Sequence, residues 1–225
     1  MYGKLFAVFF SILIGSLVSY SDALAVNQVE PLVREYSYKI GPDVRYLNYK
    51  EDLMEEEGFL YGIGGQFTYH GLAVGHNNLM ANIGVELLGG ALDYDGQTWG
   101  GTPAKEDTND WIFEYRTLLG YDLFLDESFL LTLFTGIGYR YWNNDIQGAG
   151  GYERETEYIY QPVGIEIAGG MAASLRWSAI AEYDFFWTGR VRSHLSDVHP
   201  GFNNPEVNQN KADGYGLKCS FCLSR

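Results

Sequence analysis

The segment from Phe129 to Tyr141, FLLTLFTGIGYRY, decides the fold of this chain. Successive side chains of a β-strand point to opposite faces, so alternate residues of the segment share a face. One face carries Phe129, Leu131, Leu133, Thr135, Ile137, Tyr139 and Tyr141. The other carries Thr132, Gly136, Gly138 and Arg140. An uncharged apolar face opposite a polar, glycine-rich face is typical of barrel strands with lipid outside and a narrow polar interior.

Eight segments alternate in this way, and in none of them does the apolar face carry a charge. They predict strands over 35–49, 58–70, 78–92, 110–124, 128–142, 157–169, 174–190 and 214–223. Pro162 cannot donate a backbone hydrogen bond and the alternation changes phase beside it, which predicts a β-bulge.

The connections between these strands alternate in length. Short connections are predicted over 71–77, 125–127 and 170–173, and long ones over 50–57, 93–109, 143–155 and 191–213. Short turns at one end and long loops at the other are typical of outer-membrane barrels. The sequence therefore predicts an all-β, eight-stranded antiparallel up-and-down transmembrane β-barrel. A ten-stranded barrel is the alternative if the second or fourth long loop contains a further hairpin.

The first residues predict an export signal. Lys4, an apolar run over 5–18 and Ala23-Leu24-Ala25 form a basic start, a hydrophobic stretch and a small-residue cleavage site. We expect residues 1–25 to be a signal peptide and residues 26–225 to be the barrel domain, located in the outer membrane. The net charge of −14 excludes affinity for nucleic acid.

A soluble lipocalin-like barrel also alternates, but it turns its apolar face inward. Two features favour the membrane barrel over this rival. Tyrosine and tryptophan lie towards many strand ends, as in an interfacial girdle. Glycines recur on the polar face, where they suit a crowded interior and would weaken solvent-facing strands. They are Gly41, Gly62, Gly64, Gly84, Gly90, Gly120, Gly136, Gly138, Gly164 and Gly216.

The signal peptide, the eight alternating strands, the loop asymmetry and a last strand over 214–221, GYGLKCSF, resemble the small outer-membrane barrels of the OmpA transmembrane domain and OmpX class. The resemblance covers the whole mature chain and is one of pattern. It implies a monomer that contacts outer-membrane lipid and lipopolysaccharide and is inserted by the barrel-assembly machinery. Members of that class usually end on an aromatic residue, whereas this chain continues past Phe221 to Arg225.

Fourteen charged residues are predicted to face the barrel interior as a network of ion pairs, because a lone charge in a narrow interior is costly. They are Lys39, Asp43, Arg45, Glu86, Glu114, Arg116, Asp122, Arg140, Glu166, Arg176, Glu182, Asp184, Arg190 and Lys218. The interior is interpreted as a closed polar core, with a narrow water path as the alternative. The surplus acid then lies in the loops, as a solvated surface or as a surface that recruits divalent cations.

No residue set predicts catalysis, a cofactor or a defined metal site. Cys219 and Cys222 would point to opposite strand faces, beyond disulfide reach. His194, Ser196 and Glu206 are similar in content to the active site of outer-membrane lipid A deacylases, but they fall in a predicted loop. His194 and His199, with Asp197 between them in the sequence, could bind a metal ion, but they would lack a third fixed ligand. We therefore expect a non-enzymatic envelope-structural or surface-interaction protein, with a narrow channel and a lipid A-modifying enzyme as alternatives.

Overall fold

The computed structural model describes residues 6–12, 34–51, 53–71, 77–97, 101–125, 128–172, 175–209 and 214–224. These residues form an all-β fold in which each long strand reverses direction relative to the one before. The strands are β1 (Phe6–Ile12), β2 (Tyr36–Glu51), β3 (Met54–His70), β4 (Leu79–Gln97), β5 (Pro103–Phe124), β6 (Phe129–Ile146), β7 (Glu153–Ala172), β8 (Leu175–Ser193), β9 (Glu206–Asn208) and β10 (Tyr215–Ser224). A single 3₁₀ turn, Leu195–Asp197, lies between β8 and β9.

The strands form one up-and-down antiparallel sheet in the order β1-β2-β3-β4-β5-β6-β7-β8-β10, with β9 paired to the end of β8. The sheet curls on itself, because Arg154 of β7 reaches Glu56 of β3, four strands away. It is not closed, in contrast to the predicted barrel: among the described strands, β10 pairs with β8 alone. The physical reason is that β1 pairs with residues 44–50 of β2 and so occupies part of the edge that closure would use.

The eight predicted strands correspond to β2 through β8 and β10, with seven of the eight starting within four residues of their predicted positions. The predicted long loops were wrong in extent. Residues 50–57, 93–109 and 143–155 are largely strand, because the ladders continue past the apolar alternation through cross-strand polar pairs such as Lys50 with Glu55. The fourth loop contains the 3₁₀ turn and β9. Neither it nor the second loop forms a further hairpin within the described residues.

The predicted bulge lies close to Pro162. The register between β7 and β8 shifts between Ile159 and Tyr160, where Trp187 is the unpaired extra residue of β8. The predicted cleavage site at 23–25 and most of the predicted signal peptide lie outside the described residues, while β1 falls within that peptide.

The sheet has its apolar face outside and its charged face inside. Outward side chains such as Leu119 and Leu217 are 65% and 64% exposed, whereas inward Arg45 and Glu182 are 2% and 5% exposed. A water-soluble protein would bury the first kind and expose the second. This polarity is the reverse of the lipocalin-like arrangement considered from the sequence.

The outward apolar side chains form a continuous band, which we call the apolar band. It spans residues 36–46, 59–69, 79–91, 111–123, 129–141, 159–167, 177–187 and 215–223. Beyond it, the described residues of 47–58, 92–110, 142–158 and 188–209 extend the sheet at the end opposite the short turns; we call them the protruding segments. Within the described part of the chain, no helix is long and apolar enough to span a membrane.

Aromatic rings cluster at both edges of the apolar band. At the short-turn edge, Tyr36 packs on Tyr69 with ring centroids 5.4 Å apart, and Phe129 packs on Trp177 at 6.1 Å. At the other edge, Trp111 and Tyr141 lie 4.8 Å apart. Apart from Phe129, these rings at both edges belong to tyrosine and tryptophan, which combine an apolar ring with a polar tip.

Candidate functional site

The interior of the curled sheet holds a charged layer at mid-height, centred on Glu114. The Glu114 carboxylate accepts hydrogen bonds from Arg140 Nε at 2.8 Å and from the Tyr160 hydroxyl at 2.9 Å. Arg45 lies 3.6 Å from the same carboxylate and also pairs with Glu86. Glu86 and Glu114 stand directly opposite each other on β4 and β5, so Arg45 neutralises two like charges that would otherwise repel.

A second interior pair spans the sheet. Arg116 of β5 donates from Nη2 to Glu182 of β8 at 2.7 Å, across three strands. Asp184 and Lys218 lie on the same inward face beside this pair, with Lys218 directly opposite Glu182. Asp43 on β2 is 2% exposed and neither of its carboxylate oxygens has a hydrogen-bond partner. The mid-height layer therefore joins opposite walls, but among the described residues neither oxygen of the buried Asp43 carboxylate has a hydrogen-bond partner, and Oδ1 of the half-buried Asp184 has none either.

Glycines make room for this layer. A Cβ atom at Gly138 would lie 2.1 Å from the Tyr160 ring, and one at Gly164 would lie 2.4 Å from the Phe134 ring. Contacts this short do not occur, so any side chain at these positions would displace the rings. Tyr160 in turn orients the Glu114 carboxylate through its hydroxyl. The glycines that the sequence placed on the polar face thus have a steric role at these two positions.

The other predicted interior charges lie elsewhere. Asp122 is near the short-turn end, where His70 Nδ1 lies 2.8 Å from one of its oxygens and Thr132 donates to the other at 2.7 Å. Arg190 was predicted to face inward, but the Trp187 bulge shifts the alternation of β8 and turns Arg190 outward to pair with Glu157. Lys39, Glu166 and Arg176 are half-buried.

The sequence reasoning missed the apolar side chains that share the inward face with these charges. Leu47, Leu60, Leu88, Ile112 and Trp142 form one buried cluster above the charged layer. Met80, Leu118 and Phe134 form another below it. The alternation contains the signal, since each of these residues is in phase with the polar face of its strand. The interior is therefore layered, with the charges enclosed between two apolar clusters.

A further polar layer, also missed from the sequence, lies above the upper apolar cluster. Arg154 Nη2 lies 3.4 Å from Glu56, which is fully buried, and its guanidinium stacks over the rings of Tyr49 and Trp142. Asp110 accepts from Asn144 at 3.1 Å in the same layer. Burial raises the pKa of Glu56 to about 7. Aromatic stacking compensates part of the cost of burying the Arg154 charge.

The protruding segments carry an acidic groove of about 560 Å³. Its lining is Glu55, Glu57, Asp93, Tyr94, Asp95, Lys105, Glu106 and Asp107. Glu57, Asp93 and Asp107 stand in one row across β3, β4 and β5, each directly opposite the next. Like charges placed opposite each other oppose pairing of the strands. Lys105 offsets part of this repulsion by donating to Asp95 at 2.6 Å.

A second polar surface lies on the protruding ends of β7 and β8. Glu155 accepts from the Tyr141 hydroxyl at 2.6 Å and lies 3.1 Å from His194 Nε2. These two hydrogen bonds hold the pKa of Glu155 below its usual value. Glu206 pairs with Arg192 at 2.8 Å. His194, Ser196 and Glu206 are thus not assembled as a trio, because His194 and Glu206 have other partners.

No group of three or more potential metal-ligating side chains occurs among the described residues. His199 Nδ1 accepts a hydrogen bond from the backbone of Gly201, so it is not directed at His194. Cys219 is exposed, Cys222 is half-buried, and both are free thiols. The structure therefore assembles neither a cysteine pair for redox chemistry nor a histidine pair for metal binding among these residues.

No protein-family model matches this chain, and no curated protein matches it at a significant level.

Proposed function

We propose that the mature chain is an outer-membrane β-barrel protein that acts through the acidic surface of its protruding segments. The observation that carries this proposal is the polarity of the sheet. Its apolar face is exposed and uncharged, while its charges are buried and paired. Such a surface is unfavourable in water and favourable in lipid, since each square ångström of apolar surface removed from water contributes about 25 cal/mol.

The dimensions of the apolar band support the same proposal. On β2 the band runs from Tyr36 to Tyr46, which is ten residue steps. At about 3.3 Å per step and a strand tilt of about 40°, it is about 25 Å tall. This is the height of the apolar band of outer-membrane barrels, whose aromatic girdles correspond to the rings at both edges of the band.

Membrane insertion requires a closed sheet, because unpaired backbone groups at an edge are costly in lipid. We propose that β2 through β8 and β10 close into an eight-stranded barrel once the segment that contains β1 is removed as a signal peptide. The barrel is then a monomer inserted by the assembly machinery, in contact with outer-membrane lipid and lipopolysaccharide. β2 begins and β10 ends at the short-turn side, which is the periplasmic side in such barrels.

The layered interior favours a closed core over a channel. Large apolar side chains fill the interior above and below the charged layer, and close-packed apolar layers exclude water and ions. The protruding segments are then the part of the chain available to partners outside the cell. Their carboxylates suit cationic partners, including divalent cations that bridge lipopolysaccharide phosphates. An envelope-structural or surface-interaction role follows, without a catalytic step.

The proposal is tested with the processed chain, isolated from a Gram-negative host and refolded in detergent. We expect it in the outer-membrane fraction, with a gel mobility that changes on heating. In planar bilayers we expect no steady conductance. Recovery of the chain in a soluble fraction, with no change of mobility on heating, would refute the membrane barrel. Stable conductance steps would instead support the channel alternative.

A further inference from the structure

The two edges that must meet when the sheet closes carry opposite charges, Asp43 and Lys218, which interact electrostatically with the mid-height layer but form no salt bridge with a described residue. On β2, Asp43 is buried and both of its carboxylate oxygens lack a hydrogen-bond partner. On β10, Lys218 faces the same interior and forms no salt bridge with any described residue. Resting on the barrel proposed above, we propose that Asp43 and Lys218 form an ion pair across the seam between β2 and β10, and that β1 blocks this pair until it is removed.

The register of the sheet brings these two residues together. The directly opposite partners from Lys218 are Glu182, Gly164, Phe134, Gly120, Met80 and His70. His70 donates its backbone N–H to Glu35, at the start of β2. A line drawn through these partners, perpendicular to the strands, therefore runs from Lys218 on β10 to Glu35 before β2. Because strands tilt in a barrel, the seam joins Lys218 to a residue farther along β2.

The stagger is the number of residues by which the seam partner of Lys218 lies beyond Glu35 on β2. Barrel geometry restricts it to two values. The stagger must be even, since an odd value would turn every inward side chain of one strand outward. Eight strands spaced about 4.8 Å apart with a rise of about 3.3 Å tilt by about 35° for a stagger of about eight residues and by about 41° for about ten. Barrel strands tilt by about 35–45°. A stagger of about six or twelve residues falls outside this range, at about 27° and 46°.

Both permitted values place Asp43 within reach of Lys218. A stagger of eight puts Lys218 directly opposite Asp43, which lies eight residues beyond Glu35. A stagger of ten puts it opposite Arg45 and makes Asp43 its diagonal neighbour on the same face. Directly opposite Cβ atoms are about 5 Å apart and diagonal ones about 7 Å, and a lysine side chain reaches across either. The seam pair would give the Asp43 carboxylate the hydrogen-bond partner that it lacks among the described residues.

β1 and β10 compete for the same edge. β1 pairs with β2 from Val44 to Lys50, with Ser11 opposite Arg45, and its backbone approaches that of β10 without pairing to it. A stagger of eight would place 215–217 of β10 on 44–46 of β2, and a stagger of ten would place 215–219 on 44–48, so β10 needs part of the edge that β1 occupies. The unprocessed chain therefore holds its sheet open, and release of the leader frees the edge that β10 needs.

A disulfide cross-link tests the seam. On the outward face, Cys219 comes opposite Pro42 for a stagger of eight and opposite Val44 for ten. We would make Pro42→Cys and Val44→Cys separately, each with Cys222→Ser, and oxidise the processed protein in its membrane fraction. We expect one of the two to cross-link, since directly opposite Cβ atoms suit a disulfide. The unprocessed chain, refolded with its leader attached, should give at least tenfold less cross-link. An equal yield with the leader attached would overturn the blocking role of β1.

Charge substitutions test the ion pair. Asp43→Asn and Lys218→Gln should each lower the midpoint temperature for loss of heat-modifiable mobility by about 10 °C. The exchange Asp43→Lys with Lys218→Asp should recover most of that loss. Lys39→Gln, at another inward position of β2, is the matched control and should leave the midpoint unchanged. A heat-modifiable protein in which all these variants behave like the control would overturn the ion pair and leave the barrel proposal intact. Absence of heat-modifiable mobility in the unsubstituted processed chain would instead overturn the barrel itself.

Discussion

Substitution of Glu114 by alanine should cause a large loss of stability, because Glu114 is at the centre of the mid-height layer. Glu114 is 3% exposed, and its carboxylate contacts Arg140, Arg45 and Tyr160. Removal of the carboxylate leaves the buried guanidinium of Arg140 without the anion that binds it at 2.6 Å. Removal of one partner of a buried ion pair costs about 3–5 kcal/mol.

The expected shift follows from the size of the chain. One kcal/mol changes the unfolding midpoint of a chain of this size by about 2–4 °C, so Glu114→Ala should lower it by about 10 °C. The measurement is the temperature at which the refolded protein loses its heat-modifiable gel mobility in detergent. Glu114→Gln keeps an acceptor for the Tyr160 hydroxyl and should lie between the alanine variant and the unsubstituted protein.

Glu55→Ala provides the matched control. It removes the partner of Lys50, whose side chain is 63% exposed. Exposed pairs contribute about 0–1 kcal/mol, so this variant should shift the midpoint by no more than about 4 °C. If Glu114→Ala and Glu55→Ala gave the same midpoint, the buried ion pairs of the mid-height layer would contribute no more stability than an exposed pair, and the prediction would be refuted.

Three further predictions follow from the layered interior. Gly138→Leu should prevent refolding to the heat-modifiable form, because its Cβ would lie 2.1 Å from the Tyr160 ring, whereas Gly150→Leu, with open space around it but a positive φ, should refold with a small loss of stability. The pKa of Glu56 is raised to about 7, so folding favours the neutral form of this carboxyl. The neutral form should contribute about 3 kcal/mol to the free energy of unfolding below pH 4.5, and this contribution should decline as the pH rises through 7. Urea titrations at several pH values should show the decline in the unsubstituted protein and not in Glu56→Gln. Finally, replacement of Leu47, Leu88 and Trp142 by glycine should open the upper apolar cluster and produce conductance in planar bilayers that the unsubstituted protein lacks; unchanged, silent bilayers would contradict the view that this cluster closes the interior.

The strands were predictable because the outward face keeps a period of two along most of their length, with a bulge at Trp187 as the exception. Charged residues on the outward face of 129–141 would carry a desolvation cost in the lipid environment proposed above, and none occurs on that face. The inward face has no such restriction, since leucine, tryptophan, arginine and glycine all occur on it. The sequence reasoning therefore located the mid-height charges but not Leu47 or Trp142, which break the rule of a polar interior.

Contacts across the interior were beyond the reach of the sequence. Arg154 and Glu56 are 98 residues apart, and their meeting depends on the curvature of the whole sheet. The outward turn of Arg190 depends on the extra residue at Trp187, which sequence alternation located only as a phase change near Pro162. The extent of the protruding segments was missed for another reason. Acidic residues such as Asp93 and Asp107 are poor strand formers. They stay in the ladder because the residues on either side of them in each strand are paired with the neighbouring strand.

The protruding segments also determine how an external molecule would read this protein. Flexible loops adapt to a partner, but paired strands present a fixed pleated surface on which only every second side chain points outward. A phage, antibody or host receptor bound to the β3-β4-β5 ribbon would contact Glu57 and Asp93 and miss Glu56, which is buried. Escape substitutions selected by such a binder should therefore recur with a spacing of two along each strand, a pattern that sequencing of resistant variants would reveal.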